Sequence, residues 1–314
     1  MKILVTGGAG FIGSNLCDAL IDAGHEVVVV DNLSTGYRQN LNPKARFYEM
    51  DICDEALKDV FEQERPDIVD HHAAQISVPL SIEDPLKDAE INVKGLINVL
   101  ECSVRTRVQK FIYISSGGAM YGEAEQYPTP ETYAPSPLSM YGINKLVGEY
   151  YLHFYHQQYG LKYTTLRYAN VYGPRQVSHG EAGVVAIFVE KLLAGETPTI
   201  CAYADNPEGM IRDYVFVEDV VQVNILALYK GDNQAFNIGT MTETTTSALY
   251  HEICRQLKIN TIPHQAPARK GDLQRSLLNC DKAKRELGWE PKYTLAMGIS
   301  HVIHYFQTMK EANI

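Results

Sequence analysis

The chain has 314 residues, 45% hydrophobic and 21% charged, enough apolar material for one large core or two modest ones and too much for wholesale disorder. A formal net charge of -10 repels a phosphate backbone, so nucleic acid is not an expected partner, although local donors can still hold a small phosphorylated ligand. No apolar run has the length of a membrane span, so no membrane partner is expected.

Candidate strands fall at 2–6, 26–30, 45–49, 67–71, 110–114 and 162–167, and helical spacing at 11–23, 54–64, 85–104 and 139–159 lies between most of them. Strands separated by helices predict an α/β fold, a doubly wound parallel sheet of Rossmann type with ligands at the carboxyl ends of the strands. After Tyr168 the rhythm loosens into turn-rich stretches such as Gly173-Pro174-Arg175. A strand-helix-strand unit is expected to return at 214–238, and a helix at 247–257. The expected division is a cofactor domain over 1–168 with a later segment at about 214–239, and a smaller, discontinuous C-terminal substrate domain over 169–213 and 240–314.

Cys17, Cys53, Cys102, Cys201, Cys254 and Cys280 are scattered and contain no C-x-x-C pair, which reads as reduced thiols. Residues 1–6 run straight into glycines with no leader ahead of them, and with the cysteines this predicts a cytoplasmic protein. His153/His156 and His301/His304 share helix faces but lack a third ligand at recognisable spacing, so no metal is expected.

The first strand ends in Gly7-Gly8-Ala9-Gly10-Phe11-Ile12-Gly13. Glycines 7, 10 and 13 suit a turn without side chains, a close backbone approach to a pyrophosphate, and tight helix–strand packing. The free N–H groups at the start of the next helix, at Phe11 and Ile12, then face the phosphates. Asp31 closes the second strand, where a carboxylate accepts from the ribose hydroxyls and repels a 2′-phosphate; NAD is therefore expected rather than NADP. Asp51-Ile52, after the third strand, is a weaker candidate for an adenine contact, with a surface turn as the other reading.

Tyr141 and Lys145 stand one turn apart on a helix. Twenty tyrosines make one such spacing expected by chance, so location carries the argument: the pair opens the helix after the fifth strand, at the sheet edge where a nicotinamide belongs. A free phenol titrates at about 10, and a neighbouring ammonium and an oxidised nicotinamide are expected to lower it so that Tyr141 takes a hydroxyl proton as hydride leaves for NAD.

Across nearly its whole length the chain resembles extended short-chain dehydrogenases/reductases, and within them the UDP-glucose (UDP-galactose) 4-epimerases. The motifs are Thr6 to Gly13, Asp31-Asn32-Leu33, His72-Ala73-Ala74-Gln75, Ser115 to Gly122, Tyr141-x-x-x-Lys145, Arg167 to Arg175, and Arg212-Asp213-Tyr214. The resemblance implies cofactor contacts at Asn32, Ala73, Ala74, Gln75, Asn92 and Tyr168. It implies a sugar-diphosphate contact at Asn170, a diphosphate clamp at Arg212 and Arg269, a ribose contact at Asp272, and uracil stacking at Tyr203. Arginine forks suit phosphate oxygens. The implied reaction oxidises C4 of a UDP-hexose, turns the 4-keto sugar and returns hydride to the other face. The family's usual Ser or Thr slot is Gly117 here; Ser116 is the expected third catalytic residue and Ser115 the alternative. Ser276 stands where some members are bulky, which hints at room for an N-acetyl group.

Dehydration is disfavoured because Gly118-Ala119 replaces the Asp-Glu pair of the 4,6-dehydratases. Epimerisation of UDP-glucuronate or a CDP-sugar is the runner-up, and a cofactor-sensing non-enzyme is disfavoured by the retained Tyr/Lys pair. Aromatic residues from Tyr150 to Tyr159 continue the catalytic helix and suggest pairing into a homodimer.

Overall fold

Branched apolar runs, Ile3-Leu4-Val5 and Val27-Val28-Val29-Val30, have the stiff side chains that suit strands covered on both faces. They lie in the middle of the sheet in the computed structural model, which describes residues 1–177, 183–269 and 271–312. The first half of the chain runs β1 (Lys2–Thr6), α1 (Phe11–Asp22), β2 (Glu26–Asp31), β3 (Arg46–Glu49), α2 (Leu57–Glu64) and β4 (Ile68–His71). It continues through α3 (Val78–Glu83), α4 (Pro85–Ala89), a π turn (Glu90–Gly95), α5 (Leu96–Thr106), β5 (Lys110–Ser116), α6 (Gly117–Met120) and α7 (Met140–Tyr159). The second half runs β6 (Lys162–Tyr168), β7 (Asn170–Tyr172), α8 (Val184–Leu193), β8 (Thr199–Ala202), β9 (Ile211–Arg212), β10 (Tyr214–Phe216) and α9 (Val217–Ala227). It ends with β11 (Gln234–Ile238), β12 (Thr244–Thr245), α10 (Thr246–Leu257), β13 (His264–Pro267) and α11 (Leu295–Ala312).

Seven strands form a parallel sheet in the order β11-β6-β5-β4-β1-β2-β3. Alternate residues of each strand face opposite ways. Ile3, Val5, Val27, Val29 and Ile112 pack in one core with residues of α1 and α9, while Leu4, Val28, Val30, Val69 and Phe111 join residues of α2, α5 and α7 in another. Full burial of each such side chain stabilises the fold by about 1.5–3 kcal/mol. A third core gathers Tyr172, Phe188, Phe216, Tyr250, Ile253, Ile299 and Val302 from β7, α8, β10, α10 and α11.

Sheet order reverses between β1 and β4, which opens a crevice at their carboxyl ends. Gly7 sits there at φ +69°, and a Cβ on it would come within 2.7 Å of the Ala73 backbone nitrogen. Only glycine allows the two loops to approach this closely.

Two expected elements differ. The helix expected over 85–104 is interrupted by the π turn, where the Asn92 side chain turns inward to Gln75 and Asp88 and Gly95 lets the chain pass Ile52. The strand-helix-strand unit at 214–238 contributes only β11 to the central sheet. Its first strand, β10, pairs with β7, because Tyr214 and Phe216 are drawn into the third core beside Tyr172.

Candidate active site

On the cofactor side, α1 begins at Phe11 after Gly10, which has no side chain with which to cap the first N–H groups. A Cβ on Gly13 would lie 2.3 Å from the Gly7 carbonyl oxygen, so the loop holds its backbone where an anion can reach it. Asp31, at the end of β2, accepts from the Ala9 N–H at 2.9 Å and the Leu33 N–H at 2.8 Å. Asn32 donates to Asp51 at 2.7 Å, which joins the loops after β2 and β3. Burial would raise the Asp51 carboxyl, but the Cys53 N–H and the Asn32 amide hold it below its ordinary value. The Ile52 side chain is buried in the second core. Glycine loop, open helix end and acid at the second strand fit a dinucleotide.

Ala73, Ala74 and Gln75 follow β4 at the crevice. The Asn92 amide is used internally: its oxygen accepts from the Gln75 N–H at 3.0 Å, and its nitrogen donates to the Gln75 carbonyl at 2.9 Å. Tyr168 is 4% exposed, and its hydroxyl accepts from Asn224 at 2.6 Å within the first core.

The chemistry-bearing pair opens α7, whose first turn is capped by Ser139 accepting from the Gly142 N–H. Lys145 is 4% exposed; its Nζ donates to the Ile114 carbonyl at 2.9 Å and lies 5.8 Å from the centre of the Tyr141 ring. Burial lowers the Lys145 ammonium to about 8, with Asp88 opposing the shift. The expectation of an acidified phenol is corrected for the protein alone. Burial pushes Tyr141 up to about 12, a Ser116 hydrogen bond pulls it down and Asp88 adds to the rise. Lys145 Nζ spends its hydrogen bond on the Ile114 carbonyl and makes none to the phenol.

Strand alternation separates the two serines. Ser115 donates to Glu149 at 2.7 Å, inside the Arg167–Glu149 ion pair, whereas Ser116 reaches Tyr141. Gly117 leaves no room for the family's hydroxyl, since its Cβ would meet Leu278 Cδ1 at 2.5 Å.

Ser116 and Tyr141 line a cavity of about 390 Å³ that also reaches Asn170, Arg212, Arg269 and Asp272. Arg212 donates to the Ile211 carbonyl at 3.0 Å, and burial lowers its guanidinium below the ordinary value. Arg269 Nε lies 3.6 Å from Asp272 Oδ2. Tyr203 is not among the residues lining this cavity, but its hydroxyl donates to the carbonyl of Asp272, which is, at 2.5 Å. Ser276 is 7% exposed, and its Oγ would lie 3.9 Å from a Cβ on Gly118.

Two carboxylates were missed. Asp213, next to Arg212 in the chain, is fully buried and accepts from the Thr240 N–H and hydroxyl, each at 2.7 Å, and from the Met241 N–H at 3.2 Å, which ties β9 and β10 to the loop after β11. Asp88 is fully buried, and its charge raises both Tyr141 and Lys145. An Asp four residues before Asn92 in a helical pattern reads as a solvated face, and spacing offers no other signal.

Comparison with known proteins agrees with this geometry. The chain is 50% identical to a UDP-glucose 4-epimerase of Thermotoga maritima solved with UDP-glucose, covering 99% of this chain and 100% of that one with a TM-score of 0.96. A Thermus thermophilus UDP-glucose 4-epimerase solved with NAD is 43% identical over 98% of this chain and 99% of its own, with a TM-score of 0.92. The UDP-glucose 4-epimerase of Mycolicibacterium smegmatis is 43% identical over 99% of this chain and its own full length. Residues 3–239 match the family described as "NAD dependent epimerase/dehydratase", and to that family this chain belongs.

Proposed function

We propose that this protein interconverts the C4 epimers of a UDP-hexose, the glucose/galactose pair first, with NAD as its resident cofactor. One observation carries the reading: Tyr141, hydrogen-bonded by Ser116, lines the same cavity as Arg212, Arg269 and Asp272. A proton-transfer group and a diphosphate clamp share one chamber.

Bound NAD would supply a hydride acceptor, and later donor, for C4 of the sugar, whose two faces are exchanged when the 4-keto sugar turns. Gly7, Gly10, Phe11, Ile12, Gly13 and Asp31 hold its diphosphate and adenosine half, with Asn32, Asp51 and the backbone at Ile52 near the adenine. Ala73, Ala74 and Gln75, kept in place by Asn92, and the backbone at Tyr168 back the nicotinamide. Tyr141 removes the 4-hydroxyl proton and later restores it, and Ser116 holds that hydroxyl in line. With the phenol at about 12 and the Lys145 ammonium at about 8, proton acceptance needs positive charge close to the ring. Lys145 and the oxidised pyridine ring are the sources. Asn170, Arg212 and Arg269 grip the diphosphate, Asp272 the ribose and Tyr203 the uracil, so the nucleotide stays fixed while the sugar turns.

Residues 169–213 and 240–314 are assigned to nucleotide-sugar binding, and 1–168 with the segment at about 214–239 to the cofactor. Exposed Tyr150, Phe154 and Tyr159 on α7 support a homodimer paired through that helix, tested by light scattering. Free thiols at all six cysteines support a cytoplasmic setting.

The test is incubation of purified protein with UDP-glucose, UDP-GlcNAc and UDP-glucuronate, without added NAD. C4-epimerised product from UDP-glucose is expected, and Tyr141→Phe abolishes it while NAD stays bound. No product from any of the three, or full activity in Tyr141→Phe, overturns the reading.

A further inference from the structure

Asp88 sits at the end of α4, with no solvent exposure. Its Oδ1 accepts from Gln75 Nε2 at 2.7 Å and Asn92 Nδ2 at 3.0 Å, and its Oδ2 accepts from Asn144 Nδ2 at 2.6 Å. All three donors are neutral amides, so a buried carboxylate is solvated without a cation bonded to it. The donors come from three places: the loop after β4, the π turn, and α7 one residue before Lys145. Burying a carboxylate costs several kcal/mol unless its bonds are fully made. A fold that needed only a helix–loop contact here could use an apolar side chain.

We propose that Asp88 is a positioning residue of the reaction: its carboxylate locks Asn144 to Gln75, setting Tyr141 and Lys145 against the Ala73–Ala74–Gln75 loop, and its charge acts on both. The assignment of Tyr141 and Lys145 to proton transfer rests on the function proposed above. Four titratable groups from the surrounding elements lie near Lys145. Tyr113 of β5 has its ring centre 5.3 Å from Nζ, and Tyr141 of α7 has its ring centre 5.8 Å away. His71 of β4 is held neutral by burial and by Lys145. Asp88 is the one of the four that raises the lysine, and it raises the phenol too. Removing its charge therefore favours loss of both protons, and the two limbs of the rate profile move to lower pH together.

Asp88→Asn is the first variant, assayed as NAD-loaded enzyme. It removes the charge and keeps a bond to Asn144 only if that amide turns over, so the lock between α7 and the loop after β4 loosens and kcat falls on the order of 10- to 100-fold with KM for UDP-glucose near the wild-type value. Its kcat–pH profile shifts acidward by on the order of one unit. The reciprocal pair Asp88→Asn/Asn144→Asp rebuilds each bond: the amide oxygen introduced at position 88 accepts from Gln75 and Asn92, and its nitrogen donates to the carboxylate introduced at position 144. The pair recovers both rate and profile, and it carries the test if Asp88→Asn fails to fold. Phenolate absorbance, read as each protein minus its Tyr141→Phe counterpart, follows the same shift without substrate. Should wild type fail to epimerise, the proposed function fails while this titration still decides Asp88. A profile and phenolate titration left in place by Asp88→Asn, or a folded reciprocal pair that recovers neither rate nor titration, overturns the proposal.

Discussion

Gly117→Ser separates the two candidate hydroxyl positions. A Cβ at 117 would lie 2.5 Å from Leu278 Cδ1, 3.0 Å from its Cδ2 and 3.3 Å from the Arg167 carbonyl oxygen. Ordinary carbon–carbon contact is about 3.5–4.0 Å, so the overlap is roughly 1 Å. Leu278 is 1% exposed, so it has little room to retreat. Overpacking of this kind costs about 1–3 kcal/mol. At this chain length that lowers Tm by roughly 2–6 °C. The side chain at 117 also starts out toward Leu278 and the Arg167 carbonyl, whereas it is Ser116 that reaches Tyr141. Ser116→Ala/Gly117→Ser should therefore be as slow as Ser116→Ala alone, on the order of 100-fold below wild type. Leu278→Ala opens the space, so its combination with Gly117→Ser should be non-additive by about 0.5–3 kcal/mol. Thermal unfolding and initial rates of UDP-glucose epimerisation measure both effects. An unchanged Tm in Gly117→Ser, or activity restored to Ser116→Ala by it, would show that Leu278 does not exclude the hydroxyl.

Gly13→Ala, with its Cβ 2.3 Å from a backbone oxygen that cannot yield, should purify without bound NAD, measured as nucleotide released on denaturation. Gly24→Ala, which meets nothing within 4 Å at φ +82°, should cost about 1–2 kcal/mol of stability yet keep the cofactor; equal NAD in both variants would refute the argument. Glu64 is buried, which by itself raises a carboxyl, but hydrogen bonds from Arg46, Tyr48 and Lys2 outweigh burial and hold it below its ordinary value. Its folded value is therefore the lower one: the stabilisation is complete above the unfolded value of about 4.3 and is lost as pH falls through the folded one. Tm of Glu64→Gln should fall less steeply than wild type over that acid range, and parallel curves would contradict it.

The central sheet was readable because parallel strands covered on both faces need unbroken apolar runs, and Val27 to Val30 is one. The glycine loop was readable because Gly7 and Gly13 answer to the backbone itself, which no neighbouring side chain can change. The partner of β10 was not readable, for the opposite reason. Tyr214 and Phe216 suit any strand, and the choice between two sheets rested on Tyr172, far away in the chain.

Residue type and local spacing thus determined the layered fold, the dinucleotide turn, the acid that favours NAD and the Tyr141/Lys145 pair, since each depends on neighbours within one or two turns of chain. Which serine meets the phenol, why Gly117 is bare, and what surrounds Asp88 depended on contacts between residues that are distant in sequence. Leu278 excludes a side chain from Gly117, and Asn144 reaches Asp88 across 56 positions. The phenol's proton affinity belongs to the same class: burial, a property of the assembled molecule, raises it more than the Ser116 hydrogen bond lowers it.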